Sequence, residues 1–197
     1  LVGWFTPESI YRTHTLERCQ LEAGERALDV DCGTGTLLLE LARRNPQATL
    51  FGLEPDAQIL EMARRKQPAA TQPQIRWLCG SATELPFEAE SLDAVVTSLV
   101  FHHLAPREKA TSLAEVYRVL RRGGELWLTD FARPSSLLQR LQYFAVQLID
   151  GWNTTQCNAL DRLPQLISSA GFDQVDEELA CKSWLGTIRT YRAVKSS

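Results

Sequence analysis

The chain has no excess of positive charge: 21 Lys and Arg stand against 24 Asp and Glu over 197 residues, a formal net charge of -3. That balance argues against a broad electrostatic footprint for nucleic acid. The doublets Arg43-Arg44, Arg64-Arg65 and Arg121-Arg122 read instead as helix ends, where cations complement the helix dipole. No apolar run approaches the ~18 residues of a membrane span and no secretory leader is legible. The expectation is a cytoplasmic protein without integral membrane contact. Cysteine pairs at zinc spacing are missing too. Cys19, Cys32, Cys79, Cys157 and Cys181 are odd in number and scattered, which points to reduced thiols and no metal site. Repeats and low-complexity linkers are absent, so residues 1–197 are expected to form one domain.

What is present is alternation. Short apolar or β-branched runs at Ala27–Val30, Thr49–Leu53, Ile75–Leu78, Ala94–Thr97 and Glu125–Thr129 read as strands. Between them, helical periodicity covers Thr36–Arg44, Asp56–Lys66 and Arg107–Leu120, with Leu113, Val116, Tyr117 and Leu120 on one face. Gly123-Gly124 is expected to end the last of these helices. The pattern predicts an α/β fold: a doubly wound, mostly parallel sheet. Further on, an apolar helix is expected at Leu137–Ile149 and a polar loop at Gly151–Asn158. A second helix is expected at Leu160–Ala170, with Asp161 near its start. Gln174–Ala180 and Thr187–Val194 are expected to form an antiparallel hairpin at a sheet edge.

The first strand runs through Asp29-Val30-Asp31-Cys32-Gly33-Thr34-Gly35 straight into a helix. Glycines there let backbone N–H groups approach a ligand. The second strand ends at Glu54, 19 residues beyond Gly35, where an acid can accept bonds from both ribose hydroxyls of a nucleoside. Gly33-Thr34-Gly35-Thr36-Leu37-Leu38 lacks the third glycine of a dinucleotide loop, and no Gly-Lys-Ser/Thr triplet of a phosphate-binding loop occurs. The turn therefore suits an adenosine ligand that needs no phosphate cradle.

Four ordered segments carry a resemblance: "ALDVDCGTGTLLLELA", "FGLEPDAQILEMARRK", "CGSATELPFEAESLDAVVTSLVFHHL" and "EVYRVLRRGGELWLTDFARP". Together they are similar to the successive motifs of class I S-adenosylmethionine (SAM)-dependent methyltransferases, of the ubiquinone/menaquinone-biosynthesis type. The resemblance spans about residues 20–195 and implies a Rossmann-like fold, SAM as cofactor and a small-molecule methyl acceptor. It implies that Gly33, Thr34 and Gly35, with Cys32, line the methionine part while Asp29 organises the loop. Glu54, followed by Pro55, would hold the ribose. Ser81-Ala82 would lie beside the adenine, and Ser98 near the substrate opening. The Asn-Pro-Pro-Tyr type signature of planar-nitrogen methylases is replaced by Ser98-Leu99-Val100-Phe101, so a nucleic-acid or glutamine substrate is not expected.

Two departures stand out. Asp31 occupies the first glycine position of the motif. Its carboxylate either pairs with the methionine ammonium or repels the methionine carboxylate, and repulsion is the favoured expectation. Ser81 stands where relatives carry Asp or Asn, a weaker partner for the adenine amino group. A SAM-binding but inactive relative is the alternative reading these two residues keep open.

His102 and His103 follow the fourth strand, where ligands bind in such sheets. They are candidate general bases or residues packing the next helix. Residues 1–22, with Trp4, Phe5, Tyr11 and His14, are expected as a lid over the site or a helix docked on the sheet. Residues 134–158 are expected as a helical insertion near the substrate. The apolar helix there, with Trp152, either packs as core, which its spacing favours, or walls an apolar pocket. The sequence carries no sign of oligomeric state.

Overall fold

A computed structural model describes residues 8–68, 75–134, 137–183 and 186–196. The order is α1 (Glu8–Arg18), β1 (Arg26–Val30), α2 (Thr36–Arg44), β2 (Thr49–Glu54), α3 (Ala57–Lys66), β3 (Arg76–Cys79), β4 (Leu92–Ser98), α4 (Pro106–Val119), β5 (Leu120–Ala132), α5 (Leu137–Asp150), α6 (Trp152–Ala159), α7 (Leu163–Ser169), β6 (Gln174–Ser183) and β7 (Gly186–Val194). A 3-10 turn, Phe101–His103, bridges β4 and α4.

The strands form one sheet in the order β3-β2-β1-β4-β5-β7-β6. The first five are parallel, while β7 runs antiparallel to both β5 and β6. This is the doubly wound sheet that the alternation predicts. The chain steps outward from β1 to β3, then returns to place β4 on the other flank of β1. That reversal is the switch point at which such sheets open a crevice beyond their strand ends.

Residues of period two send alternate side chains to two cores. Leu28, Val95, Leu126 and Leu128 meet Leu113 and Val116 of α4 and Ile167 of α7 on one face. Ala27, Ala94, Val96 and Trp127 meet Leu37, Leu38 and Leu41 of α2 and Leu16 of α1 on the other. Helix α1 thus docks on the sheet through buried Tyr11, Thr15 and Leu16, with His14 edge-on to Trp127 at 6.4 Å. Trp4 and Phe5 lie outside the described residues.

Four local expectations differ from the structure. Helix α4 ends at Val119 and β5 begins at the next residue, so Gly123-Gly124 sits inside a strand. There the β4–β5 register shifts between Leu92 and Ala94, and Gly123 adopts φ 74. A Cβ on Gly124 would meet the Arg121 and Asp93 carbonyl oxygens at 2.9 and 3.0 Å. The glycines serve a strand irregularity rather than a helix cap. Arg121 is therefore a strand residue, ion-paired with Glu25 and Asp93.

The expected loop at 151–158 is the helix α6. Its polar residues are spent internally: Thr155 Oγ1 donates to the Gly151 carbonyl at 2.7 Å, and fully buried Asn158 donates to the Phe131 carbonyl at 2.9 Å. Helix α7 starts only at Leu163 because Asp161 adopts φ 59. Among the described residues Asp161 accepts no helix N–H; its carboxylate takes Arg189 Nη1 at 2.7 Å. In α5, Tyr143 is buried against Phe131, whereas Leu141, Phe144 and Leu148 are 73%, 47% and 71% exposed. Only part of that helix is core; the side chains of Leu137, Leu138, Ala145 and Ile149 lie outside the described ones.

Lys109, fully buried on α4, ties α6 to the turn that follows β4. Its Nζ donates to the carbonyls of Phe101, Leu104 (2.9 Å) and Thr154 (2.6 Å), and burial holds its pKa below the ordinary lysine range. Lys109→Met leaves those carbonyls without their donor. Denaturant unfolding should show a loss of about 3–5 kcal/mol; a loss under about 1 kcal/mol would mean that water replaces the ammonium.

Candidate functional site

The crevice is built where β1, β2 and β4 end. Beyond Val30 the chain turns through three residues of positive φ, Asp31 (53), Gly33 (55) and Gly35 (72). The turn is closed by Gly35 N–H to the Cys32 carbonyl at 2.9 Å and docked on β2 by Cys32 N–H to the Leu53 carbonyl at 2.9 Å. The two glycines do different work. A Cβ on Gly33 would meet nothing within 4 Å, so that position faces open space. A Cβ on Gly35 would lie 2.5 Å from the Trp77 ring and 3.1 Å from Ala63 Cβ. The Trp77 indole is held there by Nε1–H donating to Gln67 Oε1 at 2.8 Å. Gly35 is thus a packing glycine between α2, α3 and β3 as well as a turn residue.

Glu54 is 6% exposed and spans two backbones. Its Oε2 accepts Gly33 N–H and its Oε1 accepts Asp56 N–H, both at 3.0 Å. Each carboxylate oxygen carries a second acceptor site, so the pair can also receive two vicinal hydroxyls. Exposed Pro55 follows, its carbonyl accepting the Cys79 thiol at 3.5 Å. Asp56 then caps α3 by accepting Gln58 and Ile59 N–H groups at 2.7 and 3.2 Å.

Asp29 is 3% exposed, and burial, then the Asp31 charge, hold its carboxyl well above the usual range. Asp31 Oδ1 is buried with no hydrogen-bond partner. Burial, then the Glu54 charge, raise Asp31 from 3.8 to about 6. The Cys32 thiol is pushed far up by burial and by the Asp29 charge, which keeps it a neutral, inert thiol. An open backbone face at Gly33, a diol-ready carboxylate at Glu54 and an unpaired acid at Asp31 fit the ribose and ammonium-bearing ends of the expected cofactor.

Other candidate residues fall around this nucleus. The Thr34 hydroxyl is taken by Lys66 Nζ at 2.6 Å. On the β3 side, Gly80 N–H reaches the Glu54 carbonyl at 3.3 Å. Exposed Ser81 follows, with its Oγ 2.8 Å from Thr83 Oγ1, and Ala82 is 3% exposed. Ser98 closes β4 on the other side, and Leu99 turns the chain with φ 58.

The two histidines separate in character. His102 is buried, its Nδ1 2.8 Å from Asp130 Oδ1. His103 is exposed, its ring centroid 3.9 Å from that of His102. Fully buried Asp130 also accepts His102 N–H at 3.1 Å and Phe131 N–H at 2.6 Å. Asp130, Lys109 and Trp77 escaped the sequence reading. For Lys109 a signal existed: it lies four residues before Leu113, on the apolar stripe of α4.

Among the described residues no helix is long and apolar enough to cross a membrane, and no group of three or more His, Cys, Asp or Glu is placed to hold a metal. A family profile described as Methyltransferase domain matches residues 27–124. Demethylmenaquinone methyltransferase of Oceanobacillus iheyensis is 30% identical, over 93% of this chain and 83% of its own length. The 2-phytyl-1,4-naphtoquinone methyltransferase of Nostoc punctiforme is 32% identical over 64% of this chain, which spans about half (55%) of that relative. Among solved structures, the YcgJ protein of Bacillus subtilis superposes with a TM-score of 0.80 at 14% identity, over 96% of this chain and 99% of that one.

Proposed function

Because the chain belongs to the class I SAM-dependent methyltransferases of the quinone-biosynthesis type, with SAM as its cofactor, we propose that its acceptor is the reduced ring of an isoprenoid-tailed naphthoquinone. The observation that carries this reading is an apolar surface on the insertion that follows β5. Leu141, Phe144, Leu148, Trp152 and Leu160 are all at least 45% exposed there. A narrow cleft of about 60 Å³ runs between α5 and α6, lined by Pro134, Tyr143, Trp152 and Leu160 among others. Helix α6 packs on the turn that carries His102 and His103, so an apolar tail on α5–α6 would bring its ring toward the strand ends. The relatives named above, which act on a demethylmenaquinone and a phytylated naphthoquinone by their names, support the same acceptor.

When bound, SAM supplies a methyl group on a positively charged sulfur. In this reading Glu54 holds the ribose hydroxyls, the Gly33 face admits the methionine part, and Ser81 and Ala82 flank the adenine. The acceptor has to be the quinol, because an oxidised quinone is an electrophile and cannot attack a methyl group. Methylation at a ring carbon forms one C–C bond as the methyl–sulfur bond breaks to release S-adenosylhomocysteine, and the proton of that carbon then restores the ring hydroxyl, so that one proton leaves overall. In this reading exposed His103 takes a quinol hydroxyl proton as electron density moves into the ring. Buried Asp130 accepts from His102 and fixes its ring, which sets the surface on which His103 rests.

Positioning and dehydration are then the protein's main contribution. The remaining parts of the reading are a single domain with residues 134–158 on the acceptor side, and a cytoplasmic location, which free thiols at all five cysteines support.

The test is transfer of isotope-labelled methyl from SAM to a short-tailed naphthoquinol under anaerobic conditions. Label on a ring carbon is expected, with a KM that rises when the tail is removed. Transfer to simple phenols or amines but not to the quinol would overturn the acceptor.

A further inference from the structure

Three carboxylates meet at the mouth of the turn without a cation. Asp29, at the end of β1, is 3% exposed, and no hydrogen bond reaches its carboxylate among the described residues. Asp31 Oδ1, two residues on, is buried with no partner, and Glu54 of β2 adds a third negative charge that acts on both. None of the three takes part in an ion pair among the described residues. Among the described residues Arg12 of α1 is the base whose charge acts on Asp29, and its guanidinium is bonded to Glu8 at 2.9 Å.

Burying like charges unpaired is costly, and such arrangements persist where a ligand brings the missing charge. The methionine end of SAM carries one ammonium and one carboxylate. The cluster of acids suits the first and excludes the second, which belongs with the N–H groups at the start of α2.

We propose that Asp31 is a second counter-ion for the α-ammonium of bound SAM, acting beside Asp29. The sequence alone favoured repulsion, because it shows an acid beside a zwitterion but not the unpaired acids around it. The inference rests on the cofactor lying in this turn. It makes binding proton-linked: Asp31 must be ionised to pair, and burial beside Glu54 places its titration at about 6. The other titratable groups around it are Glu54, Asp29 and the neutral Cys32 thiol, and Arg12 of α1 acts on Asp29 behind them. All of them stay in a variant at position 31, so the difference between the two proteins isolates Asp31.

Calorimetry with SAM, S-adenosylhomocysteine and 5′-methylthioadenosine separates the parts of the ligand. The second keeps the ammonium without the sulfonium; the third has neither. Asp31→Asn is the informative variant, since asparagine tolerates φ 53. At pH 8 it should weaken SAM and S-adenosylhomocysteine alike, by about tenfold or more, and leave 5′-methylthioadenosine unchanged. Lowering the pH from 7 to 5 should weaken SAM about tenfold for the wild type, from the fraction of a group titrating near 6 that remains ionised, and clearly less for the variant.

Asp31→Gly, unstrained at this φ, must give the same pattern, which guards against a distorted turn. Equal or tighter binding of SAM by both variants would overturn the proposal. So would a loss confined to SAM, which would assign Asp31 to the sulfonium. If the wild type bound neither SAM nor 5′-methylthioadenosine, the cofactor assignment itself would be at fault.

Discussion

Glu54→Ala should weaken SAM binding by about 1.5–3 kcal/mol for each hydroxyl bond lost, a drop of roughly tenfold or more in affinity. The carboxylate now holds Gly33 and Asp56 N–H groups at 3.0 Å each, so the substitution removes the proposed ribose anchor and the tie between two strand ends together. The conservative Glu54→Gln separates the effects. It preserves the shape and one acceptor but gives up the negative charge, so the fold should be kept while most of the affinity is lost. With Glu54 at the ribose, as proposed, 5′-methylthioadenosine should suffer as much as SAM, unlike the pattern expected at Asp31. Calorimetry showing unchanged affinity in Glu54→Ala would remove this strand end from the cofactor site.

Gly35→Val should abolish cofactor binding and cost the free protein stability as well. The sequence alone points to a narrower effect, loss of SAM with a cooperative thermal transition kept, because there the glycines serve only to let the backbone approach a ligand. At Gly33 a Cβ would enter open space. At Gly35 a Cβ would lie 2.5 Å from Trp77 and 3.1 Å from Ala63, on a backbone of φ 72. Overpacking and left-handed strain together should cost about 3 kcal/mol or more, a fall in Tm of several degrees. Trp77→Leu in the same chain should return part of the stability but none of the binding, since the backbone strain remains. A Gly35→Val protein that melts with the wild type would show that the indole moves aside at no cost.

The contrast between these two glycines shows where the sequence was readable and where it was not. Strand–turn–helix order, the acid at the end of β2 and the antiparallel closing hairpin follow from local periodicity and from residues close in the chain. Partners distant in the chain left no such trace. Trp77 meets Gly35 across the β2–β3 edge, and Asp130 of β5 meets His102 beyond β4. Lys109 is charged yet fully buried because carbonyls of the 3-10 turn region and of α6 converge on it. The same convergence hides α6 from pattern reading: Thr155 and Asn158 look like loop residues until their bonding partners are known. Asp31 was visible as an anomaly, but the sign of its effect depends on the unpaired acids beside it.

The position of β7 has a consequence for how the molecule is made. Strand β7 follows β6 in the chain yet is not the outer one; it fills the slot between β5 and β6, pairing with β5 from Glu125↔Val194 to Ala132↔Thr187. Until it arrives, β5 presents an unpaired edge rich in Leu126, Trp127, Leu128 and Phe131, the kind of edge that recruits other chains. Lys195 then closes the sheet from below, its Nζ donating to the Tyr117 and Leu120 carbonyls at 3.0 and 2.8 Å. Losing Gly186–Val194 would therefore cost more than one hairpin: the parallel strands would be left with β5 as an open edge, prone to aggregate with the glycine turn already formed.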